Sequence, residues 1–240
     1  MPTALLSARR DAGGGLMLVA LDVDTELARA YTAPGQYVEV TTAAGRGYFV
    51  LGGNIGESPW ELLVKNAGDA ADALVSLPFG SAVAIEGPKG AGFPVARADS
   101  RAVVVAVVGS ALAVARPVMH LRIAEGAARS TFLFLGLRAP RDLPIAAEVA
   151  GWSEHGVTVV LCLSRSELEH DVAVLPNAQR AAGYVQLAVA RAVEAGVVPP
   201  GALVVAAGPE AMLREMRAFA ASHAAAHRST SPPLEVVTNV

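Results

Sequence analysis

Cysteine is almost missing from this 240-residue sequence: Cys162 is the only one. A single thiol excludes an internal disulfide, a thiolate-ligated iron–sulfur cluster and a multi-cysteine zinc site, and a reducing, cytoplasmic location is expected. Aromatic residues are scarce at 5%, and charged residues make up only 17%. Positive charge is not in excess either. The 19 Lys and Arg stand against 22 Asp and Glu, a formal net charge of -3, so no basic field awaits a phosphate backbone and nucleic acid is not an expected partner. Long apolar runs are absent too. The most apolar stretch, Ala102 to Ala115, lies between Arg101 and Arg116 and is 14 residues long. As a helix it cannot cross a hydrocarbon core of about 30 Å. Gly109-Ser110 interrupts it, which reads as a buried strand turning into a helix. The opening MPTALLSARRDAGGG places its charges after a short apolar stretch, the reverse of a signal peptide, and no membrane partner is expected.

No metal is expected. His120, His155, His170, His223 and His227 show no convergent spacing with carboxylates. His223 and His227 share a helix face but lack an acidic third ligand nearby. No Ser-His-Asp arrangement with elbow spacing is visible. Cys162 lies in an apolar strand and reads as an inert buried thiol. Asp22, Asp24 and Glu26 read as a solvated loop.

What the sequence does have is apolar surface, at 53% of residues, enough for a substantial core. The length suits two small domains. The first half reads as β structure. Leu16 to Val23 is mostly apolar, Tyr37 to Thr41 alternates with period two, and Tyr48–Leu51, Trp60–Lys65 and Ser81–Glu86 follow. Pro34-Gly35, Gly45, Gly52-Gly53-Asn54 and Gly87-Pro88 punctuate them, and only Asp69 to Leu77 looks helical. An antiparallel β-barrel is the expected result. From Arg101 strands alternate with helices: strands at Val103–Val108, Thr131–Leu135, Val157–Leu163, Leu203–Ala206 and Leu234–Val237. Helices are expected at Leu112–Glu125, Leu143–Glu154, Tyr184–Glu194 and Glu210–Ser222. That rhythm predicts a doubly wound parallel sheet of α/β type, which binds ligands at the carboxyl ends of its strands. The expected division is residues 1–98 and 99–240.

Six motifs, in order, resemble those of the ferredoxin–NADP reductase superfamily. Pro34-Gly35-Gln36-Tyr37-Val38 resembles its PGQYV strand, and Gly87-Pro88-Lys89-Gly90-Ala91-Gly92-Phe93 its GPxGxGF turn. Gly136-Leu137-Arg138 resembles its G-x-R, Leu163-Ser164-Arg165 its serine–arginine pair, and Gly183-Tyr184-Val185-Gln186 its YVQ segment. Ala207-Gly208-Pro209-Glu210-Ala211-Met212 matches the CGPxxM motif except at its first position. The resemblance spans Tyr31 to Phe219 and is nearest to the small reductases without a ferredoxin domain. It implies a barrel that binds FAD and an α/β domain that binds NADP or NAD. A hydride would pass from the nicotinamide to the flavin and on to an unidentified acceptor.

The resemblance assigns the flavin to Tyr48, Phe49, Val50, Leu51, Val64, Lys65, Gly68 and Ala71. It assigns the nicotinamide nucleotide to Gly109, Ser110, Arg138, Ser164, Arg165, Tyr184, Gln186, Gly208, Pro209 and Met212. Arg165, after the third strand, would pair with a 2′-phosphate and favour NADPH, with Ser164 adding a hydroxyl. A solvated loop arginine is the alternative. The sequence also departs from the family. In Arg46-Gly47-Tyr48-Phe49-Val50 one register keeps Arg46 and Tyr48 and puts Phe49 at the usual hydroxyl position; the other uses Gly47, Phe49 and Val50. Phe49 is then either a ring on the flavin or a core aromatic. Asp69 and Asp72 stand near the expected pyrophosphate, and Ala111 and Val114 replace a glycine and a proline of the nicotinamide loop. The usual catalytic serine and cysteine positions carry Val50 and Ala207. Lys65 and Lys89 are either phosphate neighbours or solvated lysines, and Tyr184 either stacks on adenine or packs in the core. The alternative to an enzyme is a reductase-like binding or regulatory module without redox turnover.

Overall fold

The structure, a computed structural model, describes residues 2–98, 100–165, 175, 177–226 and 232–238. By internal contacts the chain divides into two units, Met1–Phe93 with Ser110–Val118, and Pro94–Gly109 with Met119–Val240.

The first unit is built on six antiparallel strands: β1 (Thr3–Gly13), β2 (Leu16–Asp22), β3 (Tyr37–Thr42), β4 (Gly45–Val50), β5 (Trp60–Lys65) and β6 (Ala82–Lys89). Their order is β4-β3-β6-β1-β2-β5, and a bridge between Leu51 and Leu62 ties the two outer strands together. The alternation in β3 explains the sheet's two faces. Val38 and Val40 are fully buried with Leu6, Val19, Leu21, Leu62, Val64 and Ile85, while Tyr37, Glu39 and Thr41 turn outward. Two short helices cover the barrel, α1 (Thr25–Ala30) and α2 (Asp69–Ser76). Leu74 sinks from α2 into the core, and Arg9 of β1 donates to the carbonyls of Val75 and Leu77 at the end of that helix. A cation there meets the negative end of the helix dipole.

The second unit is a parallel sheet of β7 (Val103–Val108), β8 (Thr131–Leu137), β9 (Thr158–Leu163), β10 (Gln179–Ala182), β11 (Leu203–Ala207) and β12 (Glu235–Thr238). The order is β10-β9-β8-β7-β11-β12, with every pairing parallel. Val103 to Val107 are all buried, as a strand covered on both faces requires. Helices α3 (Leu112–Ala124), α4 (Ala146–Glu154), α5 (Val185–Glu194) and α6 (Glu210–Ala226) connect the strands, and the first turns of α3 fall with the barrel unit. Phe132, Phe134, Val160 and Cys162 pack with Val185, Val189, Leu213 and Met216 of α5 and α6. The expected fold class, an antiparallel barrel followed by an α/β parallel sheet, is what forms.

Several local expectations give way. Residues 22–26 are not a loop: Asp24 caps α1, accepting from the Leu27 N–H at 2.8 Å, and Glu26 sits in the first turn. Gly87-Pro88 does not end β6 but lies within it, since Lys89 still pairs with Tyr37 across an irregular register. Helix α4 begins at Ala146 rather than Leu143, because Pro140–Asp142 forms its own tight turn, with the Asp142 carboxylate accepting from the Ala139 N–H. Strands β1 and β10 also exceed what the pattern foretold. Arg9, Arg10 and Asp11 interrupt the alternation of β1, whose pairing with β2 shifts register twice. His170, His227 and Asn239-Val240 lie outside the described residues.

One charged side chain is held wholly inside the second unit. Arg122 of α3 is 1% exposed and donates to Thr131 Oγ1 at 3.2 Å, Ser130 Oγ at 3.0 Å and the Arg101 carbonyl at 3.0 Å. Removing it strands buried acceptors and opens a cavity. Arg122→Ala is expected to lower the unfolding free energy by about 3 kcal/mol or more, read as a lower denaturant midpoint.

Candidate functional site

On the outer face of the barrel unit, β3 and β4 pair Tyr37 with Val50, Glu39 with Tyr48 and Thr41 with Arg46. The same pairing sets Phe49 opposite Val38 and Gly47 opposite Val40, on the face that covers the core. The sheet therefore puts Arg46, Tyr48 and Val50 on one outer face and turns Gly47 and Phe49 toward the core. Phe49 is a core aromatic, and Tyr48 is the ring an outer ligand would meet. Tyr48 is 65% exposed, with its ring edge-on to Tyr37 at 6.0 Å between centroids.

Beneath that ring lies an ion-paired trio that sequence reasoning did not foresee. The Glu39 carboxylate, 4% exposed, takes Arg46 Nη1 at 3.0 Å and Lys89 Nζ at 2.7 Å, and Lys89 also reaches Glu86 at 3.2 Å. The hydrogen bond from Lys89 holds the Glu39 carboxyl below the usual carboxylate range, and Glu39 in return raises the Lys89 ammonium. Lys89 is therefore an ion-paired strand residue of β6 and not a freely solvated turn lysine. The only sequence signal for the trio was an acidic residue at an outward position of an otherwise apolar strand.

The remaining barrel positions divide. Lys65 is exposed at the end of β5. Gly68 begins α2 with no side chain capping it, and Asp69 and Asp72 fill the first turn. Leu51 and Val64 are fully buried and offer no side chain to an outer ligand, because both point into the core; Ala71 packs against that core as well.

In the second unit the chain steps outward from β7 through β8 and β9 to β10, then returns to the other side of β7 as β11. Ligands of such sheets bind where the order reverses, at the carboxyl ends. Gly109 follows β7 and Gly208 follows β11, and Val107 pairs with Ala207, so the two glycines flank that switch point. Ser110 stands in the tight turn Gly109–Ala111. Met212 is buried under Gly208, where an added Cβ would come within 3.0 Å of its Cε. Pro209 is exposed at the start of α6. Ala207 is fully buried, so the position that carries cysteine in the resembling family is sealed in the sheet.

Next to the switch point, β8 and β9 end in Arg138 and in Ser164-Arg165. The Arg165 N–H donates to the Arg138 carbonyl at 3.0 Å and the Ser164 N–H to that of Leu137 at 3.0 Å. Both arginine side chains are exposed with no partner among the described residues. Gly136 matters here for close approach: a Cβ on it would lie 2.7 Å from a methyl of Val185, so its absence lets α5 settle over β8. That seats Tyr184, 62% exposed, beside the same strand ends; it is not a core residue. Gln186 is instead engaged with Glu215 of α6 at 2.9 Å. Burial pushes the Cys162 thiol up to about 12, which keeps it protonated and unreactive. Among the described residues, no group of three His, Cys, Asp or Glu side chains is arranged to hold a metal, and no helix is long and apolar enough to cross a membrane.

No family model matches this sequence, and no curated protein does. Solved structures match over nearly the whole chain. The Amycolatopsis cytochrome P450 reductase GcoB shares 24% identity at a TM-score of 0.76, covering 99% of this chain and 69% of its own. The ferredoxin reductase in carbazole 1,9a-dioxygenase gives 19% identity and a TM-score of 0.75, covering 100% and 69%. A Neisseria gonorrhoeae ferredoxin NADP+ reductase, solved with FAD and NADP bound, gives 13% and 0.74, covering 99% and 98%. At these identities the likeness is one of fold. The chain carries the FAD-domain and NAD-domain folds of the ferredoxin–NADP reductase type.

Proposed function

We propose that this protein is an FAD-dependent oxidoreductase that takes a hydride from NADPH, with NADH as the poorer donor, and passes electrons to a further acceptor. The observation that carries the reading is Tyr48, a largely exposed ring held on a rigid strand with Arg46 two residues before it on the same face. The barrel residues fit the flavin dinucleotide. Tyr48 offers a flat apolar surface for the ring, and Arg46, whose side chain is 66% exposed, has donors beyond the one engaged by Glu39. The uncapped start of α2 offers backbone N–H groups, which attract a pyrophosphate. Asp69 and Asp72 oppose it there, so the affinity rests on the ring and on Arg46.

The chemistry that FAD supplies when bound is acceptance of a hydride from reduced nicotinamide. Such a transfer needs two rings held in contact with water excluded, and no acid or base from the protein. Phe49 or Val50 in place of a hydroxyl and Ala207 in place of a thiol are therefore compatible with turnover. In the second unit, Gly109 and Gly208 would flank the nicotinamide nucleotide. Arg138, Ser164 and Arg165 would take the ribose phosphate, and Tyr184 the adenine. A cytoplasmic location accords with the single protonated thiol. A second reading, a binding module without turnover, is favoured by one set of positions: Phe49 or Val50 at the hydroxyl place, Ala207 and the acidic first turn of α2.

The visible spectrum separates them. The freshly purified protein is expected to show a flavin band that bleaches anaerobically on adding NADPH, and Tyr48→Ala is expected to weaken FAD about tenfold. A colourless protein that does not retain added FAD leaves the module reading in its place. Arg165→Ala is expected to weaken NADPH binding by about 10- to 100-fold and to leave NADH nearly unchanged. Equal loss for both removes the 2′-phosphate assignment.

A further inference from the structure

The apolar stretch around α3 ends on a cation that the proposed reading does not use. Arg116, in the second turn of α3, has a side chain only 6% exposed. Its Nη1 lies 2.8 Å from Glu61 Oε2 and donates to the Gly52 carbonyl at 2.9 Å. An ion pair with Arg116 buried and Glu61 partly exposed is a weak source of stability, because desolvation offsets the attraction, and apolar replacement of a buried charge is often tolerated. What it does supply is a fixed geometry.

The geometry it fixes is that of the chain leaving β4. Immediately past Val50, every backbone polar group of Leu51 and Gly52 has a partner. The Leu51 N–H donates to the Gln36 carbonyl at 2.9 Å, and the Gly52 N–H to the Glu61 carbonyl at 2.7 Å. The Tyr31 hydroxyl donates to the Leu51 carbonyl at 3.1 Å, and Arg116 closes the set at Gly52. Gly52 also lies so close to Ala113 of α3 that a Cβ on it would stand 3.2 Å from the Ala113 carbonyl oxygen. Pro117, next to Arg116, lacks the N–H that would bond that same carbonyl within the helix. Helix and strand end thus meet at Gly52, which packs against Ala113 and accepts from Arg116, and Arg116 adds a charged link to Glu61.

We propose that Arg116 is a positioning residue for the flavin face. By holding Gly52 and Glu61 it fixes the end of β4, and with it the placement of Val50 and Tyr48 against a bound ring. The inference rests on the flavin reading for its consequence, though not for its geometry, so the experiment reads both separately. The test compares the full-length protein with Arg116→Met, which keeps the bulk and removes the donors, and Arg116→Lys, which keeps the charge. The readouts are amide hydrogen exchange at Leu51 and Gly52 without ligand, FAD titration followed by flavin fluorescence, and the position and fine structure of the bound flavin's visible band.

The expected result is a folded Arg116→Met protein whose Gly52 amide exchanges at least tenfold faster, with FAD bound about tenfold more weakly and a shifted flavin band. Arg116→Lys is expected to recover part of both effects. Unchanged exchange at Gly52 in folded Arg116→Met overturns the proposal outright. Faster exchange with unaltered FAD affinity and spectrum overturns the positioning role. Failure of the unsubstituted protein to bind FAD, with faster exchange in Arg116→Met, counts against the flavin reading and leaves the clamp on Gly52 standing. Should Arg116→Met not fold, Glu61→Gln, which weakens the same grip from the other side, carries the same readouts.

Discussion

An open sheet has two edges, and the barrel unit depends on how it joins them. With strands in the order β4-β3-β6-β1-β2-β5, the unpaired rims of β4 and β5 would each present a row of free N–H and C=O groups. They meet at one bridge, Leu51 with Leu62, and the residues on either side complete the seal: Gln36, Tyr31, Glu61 and Arg116 satisfy the Leu51 and Gly52 backbone. Burial raises the Tyr31 hydroxyl far above its ordinary range, tempered by the Arg116 charge nearby, so it remains a donor at any working pH. The barrel's inner face then closes over Val38, Val40, Leu62 and Val64, and its outer face at β4 is left to present Arg46, Tyr48 and Val50. The exposure of Tyr48 follows from the same alternation that buries Phe49.

The parallel sheet reaches its candidate site by a different route. Because helices cover both faces, nothing on those faces is available to a ligand, and polar function is driven to the strand ends. The reversal of strand order at β7 then decides which ends count. Gly109 and Gly208 stand at the reversal, while Arg138 and Arg165 follow on the neighbouring strands, joined through their main chains.

Element type was legible wherever the period was clean. Tyr37–Thr42 alternates and is a strand; Val103–Val108 is continuously apolar and is the central strand of a covered sheet. Where charge broke the period, the sequence was mute. The Arg9-Arg10-Asp11 run hid β1 altogether, although Arg9 is there to cap α2. β10, four residues at a parallel edge, has no pattern to read. Which of Tyr48 and Phe49 faces outward is not legible in the sequence because two aromatics stand side by side; pairing of Phe49 with Val38 and of Gly47 with Val40 turns Tyr48 out. Arg116 ends an apolar run in the sequence, and an arginine inside an apolar helix, just before a proline, is the visible sign of an ion-pair partner. That partner, Glu61, lies in a strand 55 positions earlier, and no local pattern could name it.

The two candidate sites differ most in how their cations are held. Around Tyr48, Arg46 and Lys89 are both committed to Glu39, and Lys89 to Glu86 as well, so the four charges balance and the face carries little net field. Under the proposed reading such a face would meet a ring by contact and a phosphate through the donors of Arg46 that Glu39 leaves unspent. At the ends of β8 and β9 the reverse holds. Arg138 and Arg165 are exposed and unpaired among the described residues, with no carboxylate partner to lower the attraction they exert on an anion. A guanidinium already in a salt bridge must share its donors, whereas a free one offers its whole planar fork. Under the proposed reading, ring contact at a fixed strand end dominates in the barrel unit and charge dominates at the strand ends of the parallel sheet. Neither Phe49 or Val50 in place of a hydroxyl nor Ala207 in place of a thiol removes a charge from either surface, and Ala207 is fully buried in the sheet.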